Sequence, residues 1–237
     1  MNTSVGKYIG INQRVPFHVL DMGLMQYLQF SAVDREDLKQ HMREFTKGEN
    51  RVSKAAGYAY AILTKPEVLL SAYKKHIPYE TYIRLSDSER KSLILCLFAI
   101  TYPIVYDLLV SLASAFKVQS QVNKKFINQR LGANYGSNRT LDIAIDALIP
   151  MTIELETIWR SKMSIYELSS PNVLILPITM EAFVYTDIKL SGSKSILTDD
   201  ILTRPWYMYR KVTYNRATHN KILKFSESRI GGGYISI

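Results

Sequence analysis

Asp187-Ile188-Lys189 is a short pattern with the residue types of a metal-dependent nuclease. It follows the strand-like Phe183-Val184-Tyr185. With an upstream carboxylate, Glu167 or Glu181, two acids could hold Mg²⁺ while Lys189 orients the attacking water. The upstream acid sits at no dictated spacing, so a nuclease ranks behind non-enzymatic readings.

Other residue types capable of chemistry do not assemble into a motif. His18, His41, His76 and His219 are far apart, and none has metal-ligand spacing with another His or Cys. The sequence lacks the phosphate-binding G-x-x-x-x-G-K-[ST], the G-x-S-x-G nucleophile elbow and the H-E-x-x-H zinc helix. Ser71/Lys74, Ser88/Lys91 and Ser191/Lys194 each match S-x-x-K, and three unrelated matches argue for chance. Gly231-Gly232-Gly233 has no following Lys and reads as a flexible tail. Cys96 is the only cysteine, which rules out an internal disulfide and a thiolate cluster. It lies in the apolar run Leu93 to Ile100 and reads as a small buried hydrophobe. The expectation is therefore a non-enzymatic protein with no catalytic residue, metal or other cofactor.

Charge points to a partner. Thirty Lys and Arg against twenty-one Asp and Glu leave +9, which favours DNA, RNA or an anionic membrane surface. Between Arg204 and Arg229 lie seven basic residues and one acid, Glu227, with Trp206, Tyr207, Tyr209 and Tyr214 interleaved. Cations neutralise phosphates and aromatic rings stack on bases. The alternative is a strand whose aromatics are core and whose cations are solvated.

The elements that must position these residues follow from periodicity. Phe17–Phe30 is densely apolar, and Asp34 caps a second helix through Phe45, with Leu38, Met42 and Phe45 buried. In Arg51–Lys65, Val52, Ala55, Ala56, Ala59, Ile62 and Leu63 make one apolar face, leaving Arg51, Lys54, Tyr58 and Lys65 on the other. Ser86-Asp87-Ser88-Glu89 is a capping box. The long apolar run Leu93–Phe116 resembles a transmembrane span, but Pro103 divides it and Asp107 would fall near the bilayer centre. It reads as two buried helices of a cytoplasmic protein with no membrane partner. Helices follow near 119–135 and at 140–149, the latter stopped by Pro150. Met151, Ile153 and Leu155 then alternate like a strand, and Arg160-Ser161-Lys162 turns a hairpin into Met163–Leu168. Val173–Ile178, Ala182–Leu190 and Trp206–Tyr214 read as β-rich.

The expected fold class is mainly α with a β-rich C-terminal third. Two helix-turn-helix or winged-helix-like units occupy 1–84 and 85–163, and a β-rich basic region occupies 164–237. In such units a short turn props one helix so that its free face can enter the major groove of DNA. The candidate contacts are Asn50, Arg51, Ser53, Lys54 and Lys65 in the first unit. In the second they are Lys124, Lys125, Arg130, Asn138 and Arg139, although Asp142 and Asp146 on the candidate reading helix would face phosphates. Arg210, Lys211 and Arg216 are candidates in the tail. Double-stranded DNA is the expected partner, and a protein scaffold without nucleic acid is the competing class.

The helix order, with the segments Glu49-Asn50-Arg51-Val52 and Leu85-Ser86-Asp87-Ser88-Glu89-Arg90, resembles the small DNA-binding subunit of BREX phage-defence systems over roughly 15–160. The β-rich tail departs from it. The resemblance implies a DNA-binding accessory protein in a bacterial antiviral defence complex, with other proteins of that complex as partners.

Overall fold

A computed structural model describes residues 7–212, 221–227 and 232–237. The first five helices are α1 (Phe17–Phe30), α2 (Arg35–Met42), α3 (Glu49–Ile62), α4 (Glu67–His76) and α5 (Tyr79–Tyr82). Asp34 accepts hydrogen bonds from the Glu36 and Asp37 amides and so caps α2. Every expected core residue of α3 is buried, with Leu63 just beyond its end. Phe45 is not: α2 ends at Met42, and Phe45 lies half-exposed against His18.

The apolar run folds as two helices, α6 (Asp87–Thr101) and α7 (Pro103–Phe116), bent by 113° at Tyr102. Proline as the first residue of α7 costs that helix nothing, because its missing N–H would have no intrahelical partner there. Among the described residues no single helix is long and apolar enough to cross a membrane. Leu93 to Ala99 is buried throughout, so α6 is wrapped on all sides by protein. Ser86 caps it by accepting from the Glu89 amide at 3.3 Å. The Glu89 carboxylate does not complete the box; it accepts from the Ile175 and Leu176 amides instead.

Next come β1 (Gln121–Asn123), α8 (Lys124–Tyr135), α9 (Arg139–Glu154), β2 (Ile158–Lys162) and β3 (Ile165–Leu168). The strands form an antiparallel sheet in the order β1-β3-β2. Helix, strand, helix, turn, helix and hairpin is the order of a winged helix. Two sequence expectations fail here. Pro150 does not stop α9, and Met151–Leu155 is its last turn and cap rather than a strand. An interior proline costs a helix about 3 kcal/mol. Leu148, Ile149, Met151 and Leu155 are all buried, and at about 1.5–3 kcal/mol each they outweigh it. The hairpin turns at Met163 and Ser164, after Lys162 rather than at 160–162.

The last third holds β4 (Asn172–Val173), α10 (Pro177–Ser191), β5 (Ser195–Leu197), β6 (Arg210–Lys211), β7 (Lys224–Glu227) and β8 (Gly233–Ser236). Ala182–Leu190 is thus helix, not strand. Ile178 to Ile188 is buried without interruption, and a helix buried all round shows no amphipathic period. Its β-branched and aromatic residues then mimic a strand. Likewise Pro205–Tyr209 is a short 3₁₀ segment, with Trp206 stacked on Phe183 at 4.7 Å and donating Nε1–H to the Phe183 carbonyl. Of Gly231-Gly232-Gly233, the first lies outside the described residues, and the last belongs to a sheet rather than to a flexible tail. Gly233 opens β8, the central strand of β5-β8-β7, where a Cβ would lie 2.2 Å from the Phe225 ring. Buried apolar side chains form one cluster from Ile11 to Ile235, crossing residues 84 and 164.

Candidate nucleic-acid interface

Three neighbouring hollows, together called the groove below, run from α3 to the starts of α8 and α9. The first, about 800 Å³, lies over α3 and includes Tyr8, Gly10, Arg35, Ser53, Lys54, Tyr58, Tyr60, Lys65 and Tyr102. The second, about 540 Å³, shares Tyr8, Ile9, Gly10 and Tyr58 with it and adds Lys7, Tyr135, Asn138 and Thr140. The third, about 740 Å³, shares Asn138 and is lined by Lys124, Lys125, Arg139, Asp142 and Ser164 among others.

Local chemistry fixes each wall. Arg35 opens α2 and reaches over Gly57 of α3, where a Cβ would come within 3.6 Å of its guanidinium. Tyr58 donates to Asn12 Oδ1 at 2.8 Å, tying α3 to the N-terminal segment. That segment is held from the other side as well. The Lys7 amide donates to the Asn134 carbonyl, and Lys7 Nζ pairs with Asp107 at 2.8 Å. Tyr135 donates its hydroxyl to the same carboxylate at 2.7 Å, and its own pKa is pushed up, first by burial and then by that bond. Asp107, which argues against a membrane span, is therefore the anchor of the groove's middle section.

At the far end, Asn123 and Asn138 cap α8 and α9, accepting from the Phe126 and Leu141 amides. Both helices begin at the third hollow. The positive end of a helix favours acids in its first turn, yet α8 begins with Lys124 and Lys125. Positive charge is thus concentrated there against local helix preference.

The electrostatic balance is one-sided. Seven cations line the three hollows (Lys7, Arg35, Lys54, Lys65, Lys124, Lys125 and Arg139) against one acid, Asp142. Asp142 accepts from Asn128, and Lys124 pairs with Asp146. Arg35, Lys54, Lys65, Lys125 and Arg139 are exposed and have no ion pair among the described residues.

Of the residues expected from sequence, Ser53, Lys54, Lys65, Lys124, Lys125, Asn138 and Arg139 come together in this groove. Asn50 and Arg51 are exposed on the first turn of α3 but do not line it. Arg130 is exposed on α8, its guanidinium 5.9 Å from the Phe126 ring centroid. Lys211 is exposed on β6, outside the groove, and Arg216 lies outside the described residues. Lys7, Tyr8, Gly10, Arg35, Tyr60, Tyr102 and Tyr135 were not anticipated. Their spacing carries no local pattern, because the fold alone brings them together.

Arg210 is a correction. It is fully buried, donating to Ser92 Oγ at 2.6 Å, the Leu155 carbonyl at 2.6 Å and the Tyr209 carbonyl at 2.7 Å. Burial pushes its pKa down to about 10. It clasps the C-terminal region onto α6 and the carbonyl end of α9, where a cation is favoured. Arg204 pairs with buried Asp187, and Trp206 and Tyr209 are core. In the described part of the basic, aromatic stretch the aromatic rings and Arg210 are thus interior, while Lys211, Lys221 and Lys224 are exposed.

The nuclease pattern also lacks its expected setting. On α10, residues two apart point in different directions: Asp187 is buried and Lys189 exposed. Asp187 accepts from the Tyr106 hydroxyl at 2.6 Å and from Arg204. Glu181 accepts from the amides of Lys221, Ile222 and Leu223, and Glu167 from Gln121. Among the described residues no group of three or more His, Cys, Asp or Glu could hold a metal ion.

No family model matches this chain, and neither a curated protein nor a solved structure does so.

Proposed function

We propose that this is a non-enzymatic DNA-binding accessory protein whose contact surface is the groove joining the α3 unit to the winged-helix unit. One observation carries the reading: seven cations face a single acid along the three hollows, and five of them have no ion pair among the described residues. Unpaired cations in a concave wall focus positive potential and attract a polyanion. The residues come from two units that sequence reasoning had treated as separate candidates. The resemblance of the helix order to the small DNA-binding BREX subunit supports a place in a bacterial phage-defence complex, with the other proteins of that complex as partners.

The test is a salt titration of binding to DNA, with duplex, the form expected from sequence, and single-stranded oligonucleotides in separate arms. Counterion release makes log affinity fall linearly with log salt, by about 0.9 per phosphate contacted. Lys54→Ala with Lys65→Ala, and separately Lys125→Ala with Arg139→Ala, each weaken binding at unchanged thermal stability. Micromolar protein that retains no DNA at low salt overturns the reading in favour of a protein scaffold. Asp142, Ile143 and Asp146, exposed along α9, would then be the first surface to examine.

A further inference from the structure

We propose that the groove takes a single-stranded DNA segment, with unpaired bases over its tyrosine-lined floor and the sugar-phosphate backbone following the cations from Lys65 to Lys125. This rests on the DNA-binding reading and narrows it. Three observations carry it.

The first concerns shape. A helix that reads a duplex enters the major groove, so it must stand clear of its surroundings. The Lys54 side of α3 does not, although Asn50 and Arg51 lie outside the recess. Lys54 and Lys65 share a recess with Tyr8, Gly10 and Tyr102, which places that face inside a concavity. A single strand, having no second strand to accommodate, can enter such a recess with its bases splayed.

The second is the helix that a winged helix would offer to a duplex. The exposed side of α9 presents Asp142 and Asp146, which repel phosphates. The cations of this unit gather at the starts of α8 and α9, in the third hollow, where Asp142 is the single acid and accepts from Asn128.

The third is aromatic. Tyr8 is 87% exposed and Tyr60 37% exposed, while both line the recess. No hydrogen bond or ring pairing engages either side chain among the described residues; the Thr64 hydroxyl donates only to the Tyr60 backbone carbonyl. Gly10, at φ +77°, permits the crowding beneath. A Cβ there would lie 3.0 Å from the Tyr8 ring and 3.1 Å from the Tyr102 ring. A ring and cations left unengaged among the described residues form the arrangement that stacks bases while the backbone is neutralised.

The experiment compares fluorescence anisotropy of labelled oligothymidylate, an abasic strand with the same number of phosphates, and a duplex. Thymidylate binds more tightly than the abasic strand. Tyr8→Ala lowers thymidylate affinity by about 5- to 150-fold, the range of one lost base–aromatic stack. It leaves abasic affinity unchanged, and Tyr8→Phe restores thymidylate binding because stacking needs the ring and not the hydroxyl. Equal affinity for the thymidylate and abasic strands overturns the proposal, as does an equal loss on both in Tyr8→Ala. Duplex binding without single-strand binding also overturns it but leaves the DNA-binding reading standing. If neither form binds at low salt, both fall.

Discussion

Tyr102 meets Tyr58 edge to face, their ring centroids 5.9 Å apart and their planes at 86°. Tyr102 is the residue at which α6 and α7 bend, and Tyr58 belongs to α3. One aromatic contact therefore ties the α3 helix, with Lys54 on it and Lys65 just past its end, to the bend between α6 and α7. Edge-to-face pairs add about 0.5–1.5 kcal/mol beyond the area they bury. The groove is thus floored by packing that also holds the fold.

Gly10→Ala tests that coupling. The left-handed backbone at Gly10 costs an L-residue about 1–2 kcal/mol, and the new methyl would press on both Tyr8 and Tyr102. The variant should lose about that much stability in a denaturant titration and bind oligonucleotide more weakly. Unchanged stability and affinity would show that the segment adapts freely and that Gly10 does not shape the groove.

Arg210→Ala should destabilise the fold by about 3 kcal/mol, since it leaves the Leu155 and Tyr209 carbonyls and Ser92 without their buried donor. Lys211→Ala, one residue on and exposed, should stay within about 0.5 kcal/mol of the parent. A stable Arg210→Ala protein with selectively weakened DNA binding would restore Arg210 as a contact residue and contradict its buried position.

Asp187→Ala should likewise lower the melting temperature, because Arg204 and Tyr106 lose their shared acceptor. Removing one member of a buried charge pair costs about 3–5 kcal/mol. Lys189→Ala should be neutral. Metal-dependent nicking by the parent protein that vanishes in both variants while each remains folded would assign these residues a catalytic role instead.

Burial pushes the Cys96 thiol up to about 12, and the side chain has no exposed surface. Only the thiolate attacks alkylating reagents. Native protein should therefore resist iodoacetamide at pH 8.5 and react stoichiometrically once unfolded in guanidinium. Rapid modification of the folded form would place Cys96 at an accessible site.

How much of this was legible beforehand depended on whether an element shows one face or two. Helix α3 has a wet side and a dry side, so its period named its core residue by residue. The capping signals at Asp34 and Ser86 were equally local and equally readable. Helix α10 has no wet side, and Phe183-Val184-Tyr185 therefore read as strand; only Pro177 at its start and Gly192 after its end marked it as helix. Arg210 and Lys211 are indistinguishable by charge, and what separates them is a pocket built by Ser92, Leu155 and Glu156 from distant parts of the chain. The groove was half legible for the same reason. Its lysines and arginines stood out as charge, but its tyrosines converge only after Asp107, Asn12 and Tyr102 have drawn three segments together.

The central claim is that cations from both units serve one polyanion. The most direct measurement is the salt dependence of oligothymidylate affinity for a variant altered at opposite ends, Lys54→Ala with Arg139→Ala. Losing two phosphate contacts should make the slope of log affinity against log salt shallower by about 1.4, at about 0.7 per contact on a single strand. A control, Lys189→Ala with Lys211→Ala, removes two exposed cations that do not line the groove and should keep the parental slope. Equal slopes in the parent and both variants, or equal reductions in both variants, would contradict the account: the charge would then act as a diffuse property of the whole protein.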